Sequence, residues 1–165
     1  MPEQVAVCPG CGAKIKTNNN NLDKDFNASA ACRELVFQLS YFTLSLGDQD
    51  FIHQLVVDSY AAQHSGENTK PVTLTFALVG LYLVNELRYT GSGVQQVHMA
   101  LAKKSKTWPS FNSPKGENWL TVQDVIQSPD NEKQEMIKKW SQSVWGPWKP
   151  EKEKIASLLK RHLDF

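Results

Sequence analysis

Residues 31–64 read ACRELVFQLSYFTLSLGDQDFIHQLVVDSYAAQH. The first half is apolar on most sides over a length no single strand reaches, which predicts a helix from Ser29 to Leu46. Gly47 ends it as a C-terminal cap, because glycine enters the left-handed region without a Cβ penalty. Asp48 suits the N-cap of a second helix over FIHQLVVDSYAAQH, which stops before Ser65 and Gly66. So short a turn predicts an antiparallel helical hairpin.

The pattern continues on the C-terminal side. Pro71 precedes a third helix over Val72 to Arg88. Its TLTFALVGLYLV core is β-branched in places, which leaves a strand reading open, although length favours helix. Gly91-Ser92-Gly93 breaks the chain, and Ser92 is placed to cap a fourth helix, VQQVHMALAKK. The segment TWPSFNSPKGENW predicts an irregular loop anchored by Trp108, Phe111 and Trp119. Thr121 and Asp124 fit a capping box opening the short helix TVQDVIQ. A further helix is expected from about Asn131 to Val144, and Pro147 and Pro150 frame a last one, EKEKIASLLKRHLDF.

The fold class expected is all-α: an irregular helical bundle with an N-terminal zinc-knuckle-like turn, with no strand hairpin beyond a possible cysteine knuckle. One domain should span 1–165. Within it, 1–28 holds the cysteine turn and an asparagine-rich flexible loop (TNNNNLDKDFN), 29–105 a four-helix core, and 106–165 the loop and C-terminal helices.

Composition narrows the function classes. A hydrophobic fraction of 41% supports a buried core and excludes the disordered class. A net charge of +1 offers no global field for nucleic acid or an anionic membrane. The longest apolar run, FALVGLYLV, is too short to cross a bilayer, and the N-terminus has no signal-peptide pattern. A soluble, cytoplasmic protein is the expectation. Three cysteines is an odd number, which argues against a disulfide framework.

Two of those cysteines lie in the turn CPGCGA, at Cys8 and Cys11. Such a pair can be redox-active, unligated, or half of a metal site. Redox chemistry usually needs a strand followed by a helix N-terminus that lowers one thiol pKa, and no such unit is evident. A knuckle turn aims backbone N–H groups at thiolate sulfur and uses glycine to bend back, but supplies only two of the four ligands of a structural zinc. Cys32 lies fifteen positions before Gly47 and His64 seventeen after it. At a rise of ~1.5 Å per residue, each stands roughly 23 to 26 Å from the turn, so the antiparallel hairpin brings them level at its open end. His53 competes for the fourth position but stands roughly 16 Å from His64 along the same helix. The expected ligand set is Cys8, Cys11, Cys32 and His64 around a structural zinc ion.

The second helix also carries Asp58 among Leu55, Val56 and Val57. His53 and Asp58, with Tyr60 or His98, can form a polar pocket between helices for acid–base work on a small molecule. Asp58 can equally be a buried structural partner and His53 a packing residue. Of the five tryptophans, Trp145 and Trp148 around Gly146-Pro147 are the candidates for an exposed aromatic surface that meets a protein partner. The last helix sets Lys152, Lys154, Lys160, Arg161 and His162 against Ile155, Leu158 and Leu159, which suits a solvated basic face.

CPGCGA, the helix bearing Cys32, the HQ-x-x-VD-x-Y-x-x-QH helix, GLYLVNE and SVWGPW together resemble a bacterial family known only as a domain of unknown function. The resemblance runs from Cys8 to about Trp148. It implies a small standalone bacterial protein and brings no activity. No nucleophile, zinc-protease, P-loop or dinucleotide motif is present. The function expected is therefore a zinc-stabilised helical binding module whose partner is another protein or a second copy. A small-molecule enzyme built around His53 and Asp58 is the alternative, and nucleic acid is the least expected partner.

Overall fold

The computed structural model describes residues 3–117 and 119–165, so Asn118 of the irregular loop lies outside the described residues. The chain is mostly helical. In order it forms β1 (Gln4–Val7), β2 (Lys14–Thr17), α1 (Ala30–Ser45), α2 (His53–Gln63), α3 (Pro71–Leu87), α4 (Gly91–Lys104), α5 (Val122–Gln127), α6 (Lys133–Trp148) and α7 (Lys152–His162). Short 3₁₀ turns precede α6 and α7. Among the described residues, no helix is long and apolar enough to cross a membrane.

Strands occur at the N-terminus, where the possible cysteine knuckle left room for a hairpin in the expected all-α fold. β1 and β2 pair antiparallel, with Val5 opposite Lys16 and Ala6 opposite Ile15, and the CPGCGA turn joins them. Strand alternation puts Ile15 toward the body and leaves Val5 and Val7 in solvent, so an apolar-inward pattern is absent from β1. The asparagine-rich segment is pinned rather than flexible: Asp23 Oδ1 accepts the N–H groups of Asp25 and Phe26, and Ala30 N–H donates to the Asn21 carbonyl.

Local chemistry explains most helix ends. Ser29 caps α1, its Oγ accepting from Cys32 N–H at 3.1 Å. Gly47 has φ +58° beyond the end of α1. Thr121 and Asp124 form the expected capping box of α5. Three expectations shift. α2 starts at His53 rather than after Asp48, because residues 48–52 are tied to the start of α4: Ser92 N–H donates to the Asp50 carbonyl, and a side chain at Gly91 would strike the Phe51 carbonyl. Thr90, not Ser92, caps α4, accepting from Gly93 N–H at 3.2 Å. α6 runs through Gly146 and Pro147 to Trp148 instead of ending near Val144.

Buried side chains from Cys8 to Leu159 make one continuous core. α2 lies at its centre, packed on α1, α3, α4 and α6. Trp145 and Trp148, expected on an exposed surface, are buried instead. The continuation of α6 turns both inward, where Trp145 Nε1 donates to Glu86 and Trp148 Nε1 to the Ala62 carbonyl. Ile155, Leu158 and Leu159 are the buried stripe of α7.

Candidate metal centre

The open end of the α1–α2 hairpin meets the β1–β2 turn. In that turn Cys8 N–H donates to the Ala13 carbonyl at 2.9 Å and Gly12 N–H to the Cys8 carbonyl at 2.8 Å, with Gly12 at φ +78°. Positive φ there is what bends the chain back, and glycine tolerates it. Cys8 Sγ faces the N-terminus of α1 and accepts from Ser29 N–H at 3.5 Å. Cys32 sits in the first turn of α1, and His64 is the C-cap residue of α2.

These elements bring four ligand atoms together. The Sγ atoms of Cys8, Cys11 and Cys32 and one nitrogen of His64 all lie within 4.8 Å of one another, and all four residues are buried. Cys11 Sγ is 3.8 Å from Cys32 Sγ, too far for a disulfide. Cys32 Sγ is 3.4 Å from His64 Nε2. His64 Nδ1 stands 2.8 Å from the Tyr60 carbonyl. A carbonyl only accepts, so Nδ1 carries the proton and Nε2 turns its lone pair toward the sulfurs. The ring also lies 4.2 Å from the Tyr60 ring, and the His64 backbone carbonyl accepts from Asn27 N–H at 2.7 Å, so both the imidazole and its backbone are held.

Burial and mutual contact split the three thiols. The hydrogen bonds from Cys11 and then Cys32 pull the Cys8 thiol far below its ordinary range. The Cys32 hydrogen bond pulls Cys11 down too, but the Cys8 interaction and burial outweigh it and push Cys11 up to about 12. Interaction with Cys11 and Cys8, together with burial, drives Cys32 higher still. Without a counter-charge only one of the three thiols ionises readily. A bound divalent ion reverses that order and holds all three as thiolates. The four residues can hold a metal ion.

Two supporting residues had little or no signature in the sequence. Trp119, 108 positions from Cys11, donates its indole N–H to the Cys11 carbonyl at 3.2 Å. Gly10 is the point of closest approach: a Cβ there would collide with the Asn27 carbonyl and stand 2.9 Å from His64 Cδ2. The CPGC spacing hinted at a glycine turn, but not at what lies against it.

The other candidate residues are not gathered into one pocket. His53 Nδ1 is 2.9 Å from Thr43 Oγ1, and burial lowers its pKa. His98 stacks on Phe76 and donates Nε2–H to the Phe76 carbonyl at 2.8 Å; burial lowers its pKa, against a smaller upward effect of that carbonyl. Tyr60 packs over His64, its hydroxyl buried without a partner among the described residues. Asp58 is fully enclosed between α2 and α3: Oδ1 accepts from Gln54 Nε2 at 3.1 Å, and Oδ2 abuts Gly80 without a hydrogen-bond partner among the described residues. Burial raises the Asp58 pKa well above the usual carboxylate range, the Gln54 hydrogen bond opposing it only in part.

Comparison with curated proteins and with solved structures found no match. A family model does match, over residues 6–149, a span that holds all four cluster residues and every helix from α1 to α6. The protein therefore belongs to the family of unknown function DUF5946.

Proposed function

We propose that the protein is a zinc-stabilised helical interaction module, in which Cys8, Cys11, Cys32 and His64 hold a structural zinc ion and the helical body presents a surface to a protein partner. The observation that carries the metal half is the spacing of the ligand atoms. A tetrahedral zinc with bonds of about 2.3 Å to sulfur and 2.0–2.1 Å to nitrogen sets its sulfurs about 3.8 Å apart and a sulfur and nitrogen about 3.6 Å apart. Cys11 and Cys32 Sγ stand 3.8 Å apart, Cys32 Sγ and His64 Nε2 3.4 Å apart, and all four ligand atoms lie within 4.8 Å of one another. Four protein ligands fill the tetrahedron, which leaves no position for a reacting water and favours a structural over a catalytic ion. Three thiols kept reduced for a metal suit a reducing compartment such as the cytoplasm.

The test is elemental analysis of protein purified without added metal, alongside a thiol count. One zinc per chain, with all three thiols protected, is the expected result. Cys11→Ser should release the ion and loosen the β1–β2 hairpin while the helices persist by circular dichroism. His53→Ala should leave metal content unchanged. Full zinc retention in Cys11→Ser, or zinc loss in His53→Ala, overturns the ligand set.

A second reading, a small-molecule enzyme around His53 and Asp58, draws support from the buried Asp58 oxygen without a hydrogen-bond partner. The separate engagement of His53 and His98 by Thr43 and Phe76 weighs against it.

A further inference from the structure

The near-neutral overall charge that makes nucleic acid the least expected partner hides a segregation. Residues 88–116 and 149–165 together carry ten Lys and Arg against three Asp and Glu, and the remaining 119 residues carry eight against fourteen. The first stretch, from Arg88 to Gly116, holds no acidic residue. The fold brings the two stretches together. α4 packs against α7, and the loop that leaves α4 is pinned on α7, where Lys154 Nζ donates to the Ser110 carbonyl at 2.6 Å and lies 4.3 Å from the centre of the Phe111 ring. Between loop and helix lies a cavity of about 260 Å³ lined by Thr107, Trp108, Pro109, Lys154, Leu158 and Arg161. That is smaller than the ~300–1,000 Å³ of pockets that enclose a drug-sized ligand, and suits a single flat ring. Trp108 is half-buried there, steadied by the Phe76 ring, which meets it edge to face at 5.2 Å. Lys103, Lys104 and Lys106 lead into the loop, and with Lys154 and Arg161 they are exposed. Among the described residues, none of these five takes part in an ion pair.

We propose that the seam between the α4–α5 loop and α7 binds single-stranded nucleic acid, with a base on Trp108 and the backbone phosphates along Lys103, Lys104, Lys106, Lys154 and Arg161. This goes beyond the protein-partner reading and does not depend on the zinc site. A helix C-terminus favours basic side chains, which accounts for Lys103 and Lys104 in the last turn of α4 and for Arg161 in that of α7. It accounts for neither Lys106 nor Lys154, nor for the lack of acidic residues across the loop. Phosphates call for a row of cations, and an aromatic ring beside them gives a base a π-face to lie on. An acidic protein segment would use the same cations but has no need of a slot for a flat ring. Trp108 beside Lys154 and Arg161 therefore favours nucleic acid. A duplex keeps its bases stacked inside, so a single strand is the form whose base can reach Trp108.

Fluorescence anisotropy of a fluorescein-labelled uridine oligonucleotide of about twelve residues, titrated with the full chain as purified, tests the seam. Binding should be micromolar at physiological salt, with log K falling against log salt at a slope of about −3 for about four phosphate contacts. Arg161→Glu should weaken it at least about fivefold and flatten that slope by about one. Lys24→Glu makes the same charge change in the N-terminal loop and should leave affinity within a factor of about two. Trp108→Leu keeps an apolar side chain against Phe76 and should weaken binding about fivefold or more while leaving the salt slope unchanged. Lys106→Glu repeats the charge test if Arg161→Glu proves misfolded by circular dichroism. No binding by the wild type at about 100 µM overturns the proposal, as do equal losses in Arg161→Glu and Lys24→Glu. A polyglutamate peptide of the same length that binds as tightly, and is indifferent to Trp108→Leu, also overturns it: the seam would then read charge alone and belong to an acidic protein.

Discussion

Replacing Gly10 by alanine adds one methyl group to the CPGC turn at the point where it presses on α2. The new Cβ would collide with the Asn27 carbonyl, lie 2.9 Å from His64 Cδ2 and lie 3.2 Å from His64 Cα. Two of those three obstacles are backbone, and the third is a ring held by the Tyr60 carbonyl and the Tyr60 face. The neighbours cannot give, so the turn must move, carrying Cys8 and Cys11 away from Cys32 and His64. Overpacking of this kind costs about 1–3 kcal/mol. If that cost falls on the metal-bound geometry, zinc affinity should drop about 5- to 150-fold, since each factor of ten is about 1.4 kcal/mol. A competition titration against a chromophoric zinc chelator reads the change directly. Gly47→Ala is the control. Gly47 has φ +58° at the far end of α1, roughly 24 Å from the site. Its alanine should cost about 1–2 kcal/mol of stability through left-handed strain while leaving zinc affinity alone. Zinc affinity for Gly10→Ala within a factor of about two of wild type, short of the smallest expected loss of about fivefold, would show that the turn accommodates the added methyl without moving its ligands.

Trp119→Phe keeps the ring in the loop and removes the indole donor to the Cys11 carbonyl; a fall in zinc affinity of up to about tenfold is expected, and the same chelator titration checks it. Asp58 predicts a pH dependence. Its folded pKa lies well above the unfolded value, so the folded state holds the proton more tightly than the unfolded chain. Its favourable contribution is complete below the unfolded pKa of ~3.9 and declines as pH rises from there through the folded pKa. Asp58→Asn removes the titration while keeping a neutral group of the same shape. Urea melts of both forms should show the variant gaining on the wild type as pH rises; a difference independent of pH would show that Asp58 is not buried as a neutral acid.

The metal cluster was legible because it rests on local rules. An antiparallel hairpin is enough to put Cys32 and His64 at the same open end, although residues 46–52 and not one glycine make its turn, and the CPGCG turn needs only its own glycines. Ser29 and the Thr121–Asp124 box were readable for the same reason, since a cap is satisfied within three residues. The same arithmetic set His53 apart from the site.

What the chain's order could not show is contact across long separation. α2 begins late because Asp50 and Phe51 are held against α4, about forty residues on. Pro147 reads locally as a helix end, yet α6 continues because burial of Trp145 and Trp148 outweighs the lost hydrogen bond. The extent of the β1–β2 pair beside the cysteine turn could not be read from alternation, because Val5 and Val7 face water and β1 carries no inward apolar signal. Periodicity and short-range capping were enough for the helical class and for gathering Cys8, Cys11, Cys32 and His64 at the open end of the hairpin. Which tryptophans are buried, that Trp119 and Gly10 lie against the Cys11 carbonyl and His64, and that Asp58 is enclosed against Gly80 emerged only from the folded arrangement. Each depends on which surfaces exclude water together, and that is settled by packing rather than by neighbours along the chain.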